Sequence, residues 1–119
     1  MRHRVAGRKF GLPTDQRMAL LRGLVRALLL HEKIETTEAR AKDVRSIAEK
    51  VITVARDNSV HARRQARKVL NDESLVKKLF TDIAPKFTDR PGGYIRITKV
   101  GFRRGDAAPM VKLELATEE

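Results

Sequence analysis

The sequence predicts an α+β fold, about four helices packed on one face of a small sheet, and three observations predict it. Apolar residues recur at helical spacing over most of the chain, and the final third switches to the alternation of half-buried strands. The opening "MRHRVAGRKF" carries four basic residues, no acidic one and too little apolar surface to fold by itself. The chain therefore divides into an extended arm, 1–13, and one globular domain, 14–119. Its 119 residues leave room for one ordinary domain, which on folding buries roughly two-thirds of its unfolded surface.

Each element has its own signal. In "GLPTDQRM", Pro13 discourages helix before it, Thr14 can cap the free amides and Asp15 complements the positive helix end, so a first helix begins near Asp15. Met18, Leu21, Val25, Leu28 and Leu29 form its apolar stripe with Leu24 beside it, and Arg22 and Arg26 sit on the flank. "EKIETT" has the alternation of a short strand. Thr36 or Thr37 can cap the second helix, where Val44, Ile47, Val51, Val54 and Ala55 share a face up to "DNS". Asn58 or Ser59 caps a third helix with Ala62, Ala66, Val69 and Leu70 on one side and Arg63, Arg64, Arg67 and Lys68 mostly on the other. A fourth starts near Asp72 and Glu73, buries Leu75, Val76, Leu79, Phe80 and Ile83, and is expected to stop before Pro85. "FTDRPGG" reads as an irregular connection. "YIRITKV" and "MVKLELA" read as strands. The intervening "GFRRGDAAP", at about ten residues, exceeds a tight hairpin loop and is expected to project. Met18, Leu21, Leu28, Ile47, Val51, Leu79, Phe80, Ile97 and Leu113 are expected in one core.

Charge points to the partner. Lysine and arginine number 26 against 15 acidic residues, a formal net charge of +11, which favours a polyanion and above all nucleic acid. The cations come in acid-free blocks: Arg2, Arg4, Arg8 and Lys9; Arg17, Arg22 and Arg26; Arg63, Arg64, Arg67 and Lys68; Arg90, Arg96, Lys99, Arg103 and Arg104. Guanidinium groups grip phosphate oxygens through paired hydrogen bonds, and each neutralised phosphate releases counterions, so blocks meeting on one surface would dominate affinity. Aromatic residues are few: Phe10, Phe80, Phe87, Tyr94 and Phe102. Binding is therefore expected to rest on shape and phosphate, with Phe10 and Phe102 anchoring their basic segments to the body rather than stacking on bases.

Other classes find little support. With no cysteine, disulfides and thiolate metal sites are excluded and a reducing cytoplasm suits the chain. His3, His31 and His61 lack the pairing of a metal or catalytic site, and no phosphate loop, nucleophile elbow or carboxylate pair occurs. No catalytic residue, metal, cofactor or small-molecule substrate is expected. The longest apolar run, Ala19 to Leu30, is interrupted by Arg22 and Arg26 and is too short to span a bilayer, so no membrane partner is expected. A DNA-binding module would use the third helix, whose arginines have only Gln65 among them to read adenine. An RNA-processing enzyme would need a catalytic pair that the sequence does not show.

"MRHR" and "GRKF" at the start, "HEKIETT" followed by "AKDVR", "KLF", and above all "RPGGYIRITKVGFRRGDAAPM" with "LEL" after it span almost the whole chain. In their order and spacing they resemble the bacterial large-ribosomal-subunit protein seventeen family. The resemblance implies a non-catalytic structural protein bound to large-subunit ribosomal RNA, near the outer end of the nascent-chain exit tunnel and beside neighbouring ribosomal proteins. It also implies several helices against a three-stranded sheet and an arm laid on RNA, with no homo-oligomer. The contacts it carries over are Arg2, His3, Arg4, Arg8 and Lys9, then Arg103 and Arg104. Charge adds Arg22, Arg26, Arg63, Arg64, Arg67, Arg90 and Lys99 to the candidate RNA-binding set.

Overall fold

The computed structural model describes residues 14–90 and 92–116. Four α-helices lead into a three-stranded antiparallel sheet: α1 Thr14–His31, β1 Lys33–Thr37, α2 Glu38–Ala55, α3 Val60–Leu70, α4 Glu73–Lys78, β2 Ile95–Phe102 and β3 Pro109–Leu115. The strand order is β1-β3-β2, so the last strand lies in the middle and β2 forms an edge.

Local chemistry sets the helix boundaries. Thr37 leaves β1 in extended geometry and its hydroxyl accepts a hydrogen bond from the Arg40 amide, which ends the strand and starts α2 in one residue. Ser59 caps α3 by accepting from the Ala62 amide, and Asp72 caps α4 by accepting from the Leu75 amide. At the other ends, Glu32 and Asn71 take positive φ values of 68° and 49°. Such left-handed residues turn the chain off a helix, and Asn adopts that conformation more readily than most.

Leu21, Val25, Leu28 and Leu29 of α1 are buried, and α2 buries Ala41, Val44, Ala48, Val51, Ile52 and Ala55. The core continues through Leu70, Leu79, Phe80, Ile83, Phe87, Tyr94, Val111 and Leu113 in one cluster. Three residues of the expected core sit differently. Ile47 and Ile97 pack on its margin. Met18 is half-buried outside it, at the first exposed turns of α1.

Two connections depart from expectation. The α-helical pattern of α4 does end at Lys78, but the path stays helical through a wide π turn, Leu79–Ile83, and a tight 3-10 turn, Ala84–Phe87. Pro85 lies in the first turn of that last segment, where a missing N–H leaves no intrahelical bond unmade. Phe87 is thereby carried into the core against Tyr94, with ring centroids 5.1 Å apart, rather than lying in an irregular connection. The loop between β2 and β3 is also shorter than read, because β2 runs on to Phe102. Six residues, 103–108, make the turn, closed by Arg103 N–H donating to the Ala108 carbonyl at 2.8 Å and Ala107 N–H donating to the Arg103 carbonyl at 3.0 Å.

Candidate nucleic-acid interface

The cations of this chain fall into two groups once their contacts are traced. Some hold the fold. Arg26 on α1 donates from Nη1 to the Leu70 carbonyl at 3.3 Å, satisfying the C-terminal end of α3. Arg63 lies over the Phe80 ring, 4.7 Å from its centroid, and donates to Asn58 Oδ1 at 3.2 Å. Arg67 pairs with Glu73 across the turn between α3 and α4. Arg90 donates to the Gly93 carbonyl at 3.3 Å and sits 5.3 Å from the Phe87 ring centroid.

A second group, drawn from the acid-free basic blocks, is exposed and makes no ion pair or hydrogen bond among the described residues: Arg22 on α1, Arg64 and Lys68 on α3, Lys99 on β2 and Arg104 in the β2–β3 loop. These side chains are available to phosphate without breaking anything in the fold. Arg2, His3, Arg4, Arg8 and Lys9, and the expected anchor Phe10, lie outside the described residues.

The β2–β3 hairpin carries the most defined local geometry. Arg103 Nε donates to Asp106 Oδ1 at 3.1 Å and its Nη2 donates to Oδ2, while the Ala108 N–H donates to Oδ1 at 3.2 Å. The hydrogen bond from Arg103, helped by the one from the Ala108 amide, holds the Asp106 carboxyl down at about 2. The same hydrogen bond and charge raise Arg103 above its ordinary value. Asp106 thus stays ionised at neutral pH and clips the loop, while Arg104 next to it points no charge at a partner.

Across from the loop, the first turn of α2 brings Arg40 and Lys42 to a groove whose other wall is Arg103, Ala108 and Pro109. Arg40 and Lys42 fall outside the acid-free blocks because Glu38 and Asp43 flank them, and only the sheet brings that turn beside the hairpin. Arg56 was also silent in the sequence. It donates from Nη1 to Tyr94 Oη at 2.8 Å and from Nη2 to the Thr88 carbonyl at 3.0 Å, tying α2 to the segment before β2.

The blocks do not meet on one patch. The hairpin stands beside the N-terminal turn of α2, whereas α3 packs against Val51 and Val54, toward its other end. At 18 residues α2 is about 27 Å long, so the two exposed basic regions are separated by much of that length. Phosphates on an extended or folded polyanion can satisfy both regions, whereas a single small anion reaches one. On α3, the engagement of Arg63 with Phe80 and of Arg67 with Glu73 leaves a reduced set of side chains for a DNA groove.

For enzymatic chemistry the described residues offer little. No group of three or more metal-ligating side chains occurs among them, His31 ends α1, and His61 hydrogen-bonds Gln65 at 2.9 Å. No described helix is long and apolar enough to cross a membrane.

Comparison with known proteins agrees with a ribosomal reading. The family model described as ribosomal protein L17 matches residues 20–116. Proteins named large ribosomal subunit protein bL17 from Thermoanaerobacter sp. (strain X514) and from Clostridium beijerinckii are each 60% identical over 108 residues, covering 91% of this chain and 96% of theirs. The protein of the same name from Desulforudis audaxviator is 58% identical over the same span. The chain belongs to the ribosomal protein L17 family.

Proposed function

We propose that this protein is built into the large ribosomal subunit, where it binds ribosomal RNA through the arm, exposed helix cations and the β2–β3 hairpin. The family is a structural, non-enzymatic one. Within that frame, the observation that carries RNA binding is the set of exposed cations without partners among the described residues, Arg22, Arg64, Lys68, Lys99 and Arg104, in a chain of net charge +11. Counterion release from several separated phosphate contacts gives high affinity without a single deep site. Arg2, His3, Arg4, Arg8 and Lys9 add cations from a segment with no core of its own in its sequence, which the phosphates it neutralises would order. Arg26, Arg63, Arg67, Arg90 and Arg103 belong to the interface in a supporting role, since their guanidinium groups are already engaged by the fold.

In this reading residues 1–13 are the RNA-bound arm and 14–119 the body, seated in the cytoplasmic ribosome near the outer end of the nascent-chain exit tunnel with other ribosomal proteins alongside. The tunnel position follows from the family resemblance of the sequence. Sucrose-gradient sedimentation of a cell lysate tests the proposal. The protein should travel with the large subunit in stoichiometric amount through a moderate-salt wash. Sedimentation at the top of the gradient, or with DNA, contradicts it.

A further inference from the structure

The most conspicuous side chain left unexplained is Phe102. It is 74% exposed at the end of β2, and its neighbour Val100 is 47% exposed. The expectation that Phe102 anchors the hairpin to the body is not met.

Its direction follows from the register. Residues directly opposite one another in an antiparallel pair share a face. Thr36, Val111 and Lys99 form one such row, with Thr36 and Val111 buried beneath the helices. Simple alternation beyond Lys99 would turn Gly101 toward the helical side and Phe102 away. A bulge between Lys99 and Gly101 inserts one residue, places Gly101 opposite Met110 and sets Phe102 opposite Pro109, in line with buried Val111 and Leu113. Gly101 has φ +131°, a conformation that side-chain-bearing residues rarely adopt, so the glycine is what permits the bulge. The result is an aromatic ring turned to the helical side of the sheet and left exposed there.

We infer that Phe102 stacks on an unpaired RNA base, with Lys99 and Arg104 on the flanking phosphates. The inference rests on the RNA-binding reading above and assigns to this hairpin a preference for single-stranded or looped RNA. Bases inside an A-form duplex are already stacked on both faces, so an isolated exposed ring finds a partner only where a base is splayed out. Charge favours RNA over protein here. Two exposed apolar side chains among unpartnered cations fall far short of the apolar centre of a stable protein interface, whereas a ring beside free cations matches a base beside its phosphates. The Arg103–Asp106 pair and the two loop hydrogen bonds hold the ring's surroundings in place before RNA arrives.

The chain has no tryptophan, so F102W in the full-length protein provides a single tryptophan at the stacking position, excited selectively over Tyr94. Two probes suffice: an oligoadenylate strand of about twelve nucleotides and a mixed-sequence RNA duplex of about twelve base pairs. Oligoadenylate should quench F102W fluorescence, and the duplex should leave it near its free value. F102L, which keeps an apolar side chain but loses the ring, should bind oligoadenylate roughly 5- to 150-fold more weakly and the duplex within about twofold of wild type. Unquenched fluorescence in a saturated oligoadenylate complex overturns the inference, as does an F102L protein that binds both probes like wild type or loses both equally. Those results leave the broader RNA-binding reading standing. Failure of the wild type to bind either probe removes both.

Discussion

At the scale of single residues, arginine has two occupations here that composition does not separate. Arg56 and Arg64 look alike in a sequence, but one is wired into the fold and the other faces solvent. The Arg56 guanidinium donates to Tyr94 Oη and the Thr88 carbonyl, and Tyr94 is itself fully buried with Thr53 as a further donor to its hydroxyl. Removing Arg56 leaves that buried hydroxyl short of a partner. R56A should therefore cost about 2 kcal/mol in denaturant titration, as expected for a lost hydrogen bond to a charged group. R64A should stay within about 0.5 kcal/mol of wild type, the usual range for a solvent-facing substitution, while weakening RNA binding. Equal stability losses for the two would show that this division of labour is wrong. The sequence made the cations legible as a class, and their acid-free blocks are what pointed to nucleic acid. Which of them are committed to the fold was hidden, because Arg26 meets Leu70 and Arg56 meets Tyr94 only after helices distant in the chain have packed.

Among the elements, the ones with strong local signals were readable. Of the pairs the sequence offers, Thr36 or Thr37, Asn58 or Ser59, and Asp72 with Glu73, it is Thr37, Ser59 and Asp72 that occupy the N-cap positions, because capping depends on a side chain and amides three residues away. The buried face of α2 was harder. Apolar spacing picked out Ile47 and Val54, yet both lie on the margin, while Ala41, Ala48 and Ile52 are fully enclosed. α2 is packed by α1, α3 and the sheet, so its buried arc is wide, and alanine carries little hydropathic signal even where it allows close packing. The hairpin loop was overestimated in length for a related reason: glycine marked a bulge inside β2 as well as the turn beyond it. The clip in that loop sets its own pH response. Asp106 titrates at about 2, below the ordinary 3.8, so its hold on the loop is fully present above the ordinary value and is lost as pH falls from about 4 through about 2. Titration of the Asp106 side-chain carboxyl by NMR should give a midpoint near 2, returning toward the ordinary carboxylate value in R103A. A midpoint near 4 in the wild type would mean that Arg103 does not clip the loop in solution.

At the scale of the whole molecule, the described residues span 43 × 37 × 27 Å, with exposed cations toward both ends of α2, and the full chain carries a net charge of +11. Nothing in so small a body needs that much like charge for folding, and self-repulsion opposes it. The proposed RNA partner, spanning the separated regions, would account for the charge. Fold class and family were both legible, the first from periodicity and the second from long motifs such as "RPGGYIRITKVGFRRGDAAPM". The distribution of exposed cations over two regions was not, since it depends on where α3 and the hairpin sit along α2. The central claim is that affinity comes from many phosphate contacts shared between arm and body, and the salt dependence of binding to large-subunit ribosomal RNA tests it most directly. Four arm cations plus Arg22, Arg64, Lys68, Lys99 and Arg104 predict a slope of log affinity against log salt of about −6 to −8, at roughly 0.7 to 0.9 per contact. Deleting residues 1–9 should flatten that slope by about 3 while leaving the circular-dichroism helix signal unchanged. A slope near zero in the full-length protein, or one that the deletion leaves unaltered, would contradict it.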